Sequence, residues 1–133
     1  LIFGKTLSAG VPMREAEREY LGETHERIGG WLVDKWRLPE NLKDAIEHHH
    51  DFFCSKKRDK VKDPRLVALT YLAETFCGHY SIGWDGDSVC GDIKEPKAWE
   101  FVLSSSSGGR DIDRILAETL RAYNDVRNQI LII

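Results

Sequence analysis

G-E-T-H-E-R-I-G-G-W-L-V-D-K-W-R-L-P-E-N-L-K-D-A-I-E-H-H-H-D, running from Gly22 to Asp51, decides the fold of this chain. It carries four of the five histidines: His25, His48, His49 and His50. Thr24 offers a side-chain oxygen to open backbone N–H groups, and an apolar pattern of helical period follows it, so the spacing predicts a helix from there. At about 100° per residue, His25, Ile28, Gly29, Leu32 and Trp36 share one face, with Glu26, Arg27, Asp34 and Lys35 to the sides or back. Leu38-Pro39 closes this helix and opens the next, because the residue before proline avoids the helical region and proline suits a first helical turn. In the second helix Leu42, Ala45, Ile46, His49 and Phe53 cluster on one side, with His50 near its edge and His48 projecting away. Two helices joined by a tight turn thus bring His25 and two of three consecutive histidines toward the interior.

The same residues carry a family resemblance. E-x-x-x-L-G-x-T-H-x-x-x-G (ending at Gly29), W-x-L-P (Trp36 to Pro39) and A-I-x-x-H-H (Ala45 to His50) resemble the second half of an HDOD domain, a helical relative of the HD metal-dependent phosphohydrolases. A looser likeness extends through L-V-A-L-T-Y-L-A-E-T-F (Leu66 to Phe76). The resemblance implies an all-α fold and places histidines matching His25, His49 and His50 near metal in the two-metal HD-GYP relatives. Glu74 stands where those enzymes carry a metal-binding aspartate. They also need an upstream H-D dyad and a G-Y-P signature, whereas H-H-D-F-F-C-S-K-K-R follows the paired histidines here. There is no initiator Met, and the family places its dyad upstream of Leu1. Residues 1–133 therefore read as a single HDOD-like domain, a C-terminal portion lacking its N-terminal helices.

The rest of the chain supports a helical reading. At 133 residues and 15.2 kDa, with 41% hydrophobic and 31% charged residues, it is large enough for a core of its own. A net charge of −3 and a pI near 6.0 supply no general attraction to phosphate backbones or anionic lipid, which argues against nucleic acid and membrane surfaces as partners. No apolar run approaches the ~18 residues of a membrane span. Cys54, Cys77 and Cys90 make an odd set without a C-x-x-C pair, pointing to free thiols in a reducing cytoplasm.

Residues 1–11 read as the end of an earlier element before a turn at Gly10-Val11-Pro12. Met13 to Leu21 is rich in helix formers, with Gly22 as its stop. Gly29 and Gly30 call for close approach by a neighbouring helix, since glycine inside a helix costs about 0.5–1 kcal/mol relative to alanine. After Asp51 a basic run around S-K-K-R-D-K-V-K reads as a solvated loop. Asp63-Pro64 reads as N-cap and first residue of a helix with Leu66, Leu69, Thr70, Ala73 and Cys77 on one face and Glu74 at its border. The glycine-rich stretch 78–94 reads as turns. A calcium loop starting at Asp85 would put Cys90 at the sharp-turn glycine and Pro96 at the terminal glutamate, against the requirement. Cys77, His79 and Cys90 lack a fourth ligand for zinc. Pro96 opens a short helix, Ser104 to Gly109 forms a flexible connector, and Ile112 to Ile130 is an amphipathic helix with Ile112, Ile115, Leu116, Thr119, Tyr123, Val126 and Ile130 in one stripe, which should pack across the bundle. The expected architecture is a compact all-α bundle of five to six helices.

Imidazole and carboxylate groups on adjacent helices can converge on a divalent ion and activate water for attack on phosphorus. His25, His49, His50 and Glu74 are the metal candidates, and the ion would be Mn, Fe or Mg; with the dyad and the G-Y-P signature missing, no catalytic residue and no resident cofactor is assigned. Against this stands hydrogen bonding within the core, in which a buried ring donates one N–H to a carboxylate and accepts at its other nitrogen. Three readings follow. The leading one is a non-catalytic signal-transduction or regulatory output module of a bacterial signalling protein, partnered by other signalling domains. The second is a metal-dependent phosphohydrolase or cyclic-dinucleotide phosphodiesterase whose dyad lies upstream. The third is a dimerisation segment, with the C-terminal apolar helix joining two copies into a homodimer.

Overall fold

The computed structural model describes residues 2–50, 61–83, 91–103 and 111–130. Every regular element among them is a helix: α1 (Ile2–Ala9), α2 (Met13–Leu21), α3 (His25–Trp36), α4 (Glu40–His48), α5 (Pro64–His79), α6 (Pro96–Leu103) and α7 (Ile112–Ile130). The all-α class is as expected, with seven helices where five or six were anticipated. The extra one is α1: residues 2–9 are helical in their own right, with Thr6 buried and its hydroxyl donating to the Phe3 carbonyl at 2.9 Å. The chain divides into two units, Leu1–Val102 and Leu103–Ile133. No helix among the described residues is long and apolar enough to cross a membrane.

Helix boundaries follow local chemistry. Gly22 ends α2 at φ 78°, its N–H bonded to the Arg18 carbonyl, a left-handed conformation that glycine adopts without steric cost. Arg37 ends α3 in the same region, at φ 55° and ψ 40°, with the Leu38 N–H reaching back to the Val33 carbonyl at 3.0 Å. Pro39 then starts the turn into α4. Asp63 caps α5, its carboxylate accepting from the Leu66 N–H at 3.0 Å with Pro64 in the first turn. In the second unit Asp111 does the same for α7, accepting from the Asp113 N–H at 3.0 Å.

The first unit packs α1 on α2, α3 on α4 and α4 on α5. Met13 and Ala16 of α2, Val33 of α3, Ala45 of α4, Val67, Ala68, Leu72 and Phe76 of α5, and Ala98 and Trp99 of α6 are buried, as are Val61 and Ile93 between helices. The two glycines of α3 mark the closest approach. A methyl on Gly29 would stand 2.5 Å from the Ile46 Cγ2, and one on Gly30 would overlap the Glu47 side chain. The neighbouring helix they admit is α4, which leads directly into the paired histidines.

Two buried faces differ from the sequence expectation. On α3 the buried residues are Glu26, Gly30 and Val33, whereas Trp36 is 63% exposed. Periodicity placed Glu26 toward solvent because it is charged; its Oε1 lies 2.5 Å from the Arg14 Nε, and that ion pair allows it inside. On α5 the buried residues are Val67, Ala68, Leu72, Thr75 and Phe76, whereas Leu69 is 44% exposed. This helix is apolar around most of its circumference, so hydrophobic period selects no side. Cys54, Cys90, the Asp85 loop, the basic run from 55 to 60, Phe53, the 104–109 connector and the apolar tail 131–133 lie outside the described residues. Cys77 is a free, half-buried thiol, and His79 is the last residue of α5 rather than part of a loop.

Candidate functional site

His25 opens α3, and its position is set from α2. The sequence suggested that Thr24 would cap this helix; Thr24 is extended and makes no side-chain bond to the helix N–H groups. The cap comes from Glu17, whose Oε2 accepts the His25 backbone N–H at 3.0 Å and lies 2.7 Å from the His25 Nδ1. His49 and His50 follow directly on the last residue of α4, and Glu74 comes from the half-buried side of α5.

These groups meet. The His25 Nε2 is 2.9 Å from the His50 Nε2 and 3.4 Å from the His49 Nε2. At the far side of each ring, Nδ1 faces an acceptor. For His25 it is the Glu17 carboxylate, for His49 the Ile46 carbonyl at 2.7 Å, and for His50 the Glu74 Oε1 at 3.2 Å. A carbonyl can only accept and a carboxylate oxygen accepts readily, so these contacts suit the tautomer with its proton on Nδ1, which leaves Nε2 facing inward as an acceptor. Lone pairs at these separations repel. A proton on one ring, or a cation shared by all three, relieves that repulsion.

The surroundings favour positive charge. Three carboxylates, Glu17, Glu26 and Glu74, border the cluster, against one guanidinium, Arg14, which is engaged by Glu26. Burial, and then the charge of His50, holds the His49 pKa below its usual value. Burial would lower His50 as well, but the hydrogen bond and charge of Glu74 outweigh it and raise its pKa. Glu26 is likewise penalised by burial, yet bonds from Thr24 and its own backbone N–H, together with Arg14, bring its pKa below the ordinary carboxylate value. The side chains of His49 and His50 are 15% and 18% exposed and that of His25 is 40% exposed, so the cluster is reachable from solvent.

All four sequence candidates, His25, His49, His50 and Glu74, are therefore brought together, with Glu74 Oε1 3.9 Å from the His49 Nε2. His25, His49 and His50 form a group able to hold a metal ion. The donor set fits a divalent ion: adjacent nitrogens around a tetrahedral zinc with ~2.0 Å bonds stand about 3.3 Å apart, close to the spacing found here. Sequence reasoning missed Glu17, Glu26 and Arg14. Spacing offered one usable clue, since Glu17 precedes Leu21-Gly22 by one helical turn and so lies over the break that leads to His25.

Residues 2–52 match the HDOD domain family model. The match spans 51 of the 133 residues, less than half of the chain. It contains Glu17 and all three clustered histidines, whereas Glu74 and the looser likeness of Leu66 to Phe76 fall outside the match. A crystal structure titled as an HDOD domain protein with unknown function, from Geobacter sulfurreducens, superposes with a TM-score of 0.69 at 20% sequence identity. The match covers 91% of this chain and 41% of that one, so the chain spans less than half the length of that HDOD protein, and the likeness is one of fold. No curated protein matches the chain.

Proposed function

We propose that this chain is the regulatory part of a bacterial cytoplasmic signalling protein, and that its histidine cluster holds one divalent cation without hydrolysing phosphodiesters. The observation that carries the reading is the inward convergence of three Nε2 lone pairs whose rings are each anchored at Nδ1. Metal-ligating histidines are held in this manner, the second nitrogen donating to a carboxylate or carbonyl. A nitrogen-rich set with a single carboxylate suits zinc, iron or manganese better than magnesium, which prefers oxygen.

In this role His25, His49 and His50 bind through Nε2, and Glu74 both orients His50 and offers a carboxylate oxygen nearby. A bound cation would supply a fixed positive charge joining the start of α3, the end of α4 and the middle of α5. Occupancy then links to how tightly those three elements are held, a means of passing a signal to partner domains. The two-metal hydrolytic scheme places two ions about 3.5–4 Å apart. The donors gathered around the inward Nε2 atoms are three imidazoles with the Glu74 carboxylate beside them, a complement for one ion, while Glu17 and Glu26 lie on the Nδ1 side of His25.

Full-length chain purified without chelators should contain near-stoichiometric transition metal by mass spectrometry, and added zinc should raise its melting temperature. His49→Ala should abolish both. Hydrolysis of bis-p-nitrophenyl phosphate with manganese is expected to stay at background. Activity that His49→Ala removes would overturn the non-hydrolytic reading in favour of a phosphodiesterase. A metal-free protein indifferent to zinc, manganese and iron would sink the cation site.

A further inference from the structure

We propose that Glu17 is a positioning residue for the histidine cluster: it holds His25 in the tautomer with the proton on Nδ1, and thereby keeps the Nε2 lone pair aimed at His49 and His50. The inference rests on the reading of the cluster as a cation site, and it concerns a residue on a different helix from any of the ligands.

The neutral histidine side chain free in water favours the proton on Nε2. In this cluster that tautomer would point an N–H at the place a cation must occupy. His49 has the Ile46 carbonyl to reverse the preference, and His50 has Glu74. His25 is the most exposed of the three at 40% and depends least on packing for its orientation. One oxygen of Glu17 receives both its backbone N–H at 3.0 Å and its Nδ1 at 2.7 Å. Two donors of one residue sharing one acceptor restrict both side-chain torsions, and the ring stays where the backbone puts it.

The acceptor is itself fixed. Glu17 is 9% exposed and sits on α2 beside the buried Ala16. A second carboxylate lies near the same ring proton: the Oε2 of buried Glu26 is 4.0 Å from Nδ1. Its other oxygen is held by Arg14, which keeps the group out of hydrogen-bond reach of the ring. The geometry therefore separates two buried glutamates on either side of one imidazole, Glu17 setting the tautomer and Glu26 pairing with Arg14.

The test uses the metal-free, 15N-labelled full chain and two-bond 1H–15N correlation of its imidazoles. Wild type should show His25 protonated at Nδ1, and Glu17→Ala should shift it to Nε2. Glu17→Gln keeps an oxygen for both N–H groups, so the Nδ1–H pattern should persist, and Glu26→Gln should leave it unchanged. Zinc alone, titrated against a competing chelator, should bind Glu17→Ala about 10–100-fold more weakly than wild type, with Glu17→Gln between. An unchanged His25 tautomer in Glu17→Ala, or an Nε2–H His25 in wild type, overturns the proposal. Should Glu17→Ala fail to fold by circular dichroism, the wild-type and Glu17→Gln spectra decide: an Nε2–H His25 in either overturns it. A wild type that binds no zinc while its tautomer still follows Glu17 leaves the positioning role standing and defeats the cation reading instead.

Discussion

The contact between α3 and α4 has two ends built on opposite principles. At the glycine end, Gly29 and Gly30 let Ile46 and Glu47 approach so closely that a single added carbon collides. At the histidine end, polar rings from the same two segments face each other across separations that neutral rings would not choose. The tight end makes the strained end possible. Close packing resists relaxation, so the helices cannot rotate apart to relieve the lone pairs, and a proton or a cation does so instead.

The largest expected effect tests the rigid end. Gly29→Val drives two extra methyls into Ile46, a β-branched side chain with little freedom at χ1, and should destabilise the chain by ~3 kcal/mol or more by chemical denaturation. Gly29→Ala should cost about 1–3 kcal/mol by the same mechanism, partly offset by better helix propensity. Both should also weaken zinc binding, since they shift α4. If zinc affinity survives the loss of stability, the two ends are not coupled.

Gly30→Ala sharpens the contrast. Its added carbon meets the Glu47 side chain, a flexible group that can swing aside, so the propensity gain of ~0.5–1 kcal/mol should offset most of the packing cost. Near-neutral stability is expected. A loss as large as that of Gly29→Ala would mean Glu47 is as confined as Ile46.

The histidine end is open to test by pH. Because Glu26 has a lowered pKa in the folded chain, its contribution is fully present above the unfolded carboxylate pKa of about 4.3 and is lost as pH falls through the lower folded value. Glu26→Gln should cost about 1–3 kcal/mol at neutral pH through the weakened Arg14 bond. Its stability should also decline less steeply on acidification than that of wild type, as read from denaturation midpoints across the acid range. An identical acid limb would show that Arg14 and Glu26 do not act as an ion pair.

The smallest effect lies at the turn joining the two helices. Arg37 is a non-glycine residue in the left-handed region and is exposed, so Arg37→Gly should raise stability by about 1 kcal/mol and leave zinc binding alone. A destabilised variant would imply that the arginine side chain holds the turn by a contact of its own.

Much of the fold was legible because helix ends are local events. Proline at 39, 64 and 96, Gly22 and Asp63 act through their own backbone or the adjacent turn, and the helices begin and end where those residues say. That His25, His49, His50 and Glu74 lie close together was also legible, three through their place on two joined helices and one through family likeness. Buried faces were less so. Leu69 and Trp36 are apolar and exposed, Glu26 is charged and buried, and no helical wheel distinguishes these cases without knowing what lies opposite.

Order along the chain was enough to specify six of the seven helices found among the described residues, and a concentration of histidines around a tight turn. Which carboxylate holds which ring depends on α2 lying beside the start of α3 and α5 beside the end of α4. Glu17 and His25 are eight positions apart, and Glu74 and His50 are twenty-four apart. Pairings across a helix break or between separate helices arise from packing, and backbone preferences that act over a single turn carry no record of them.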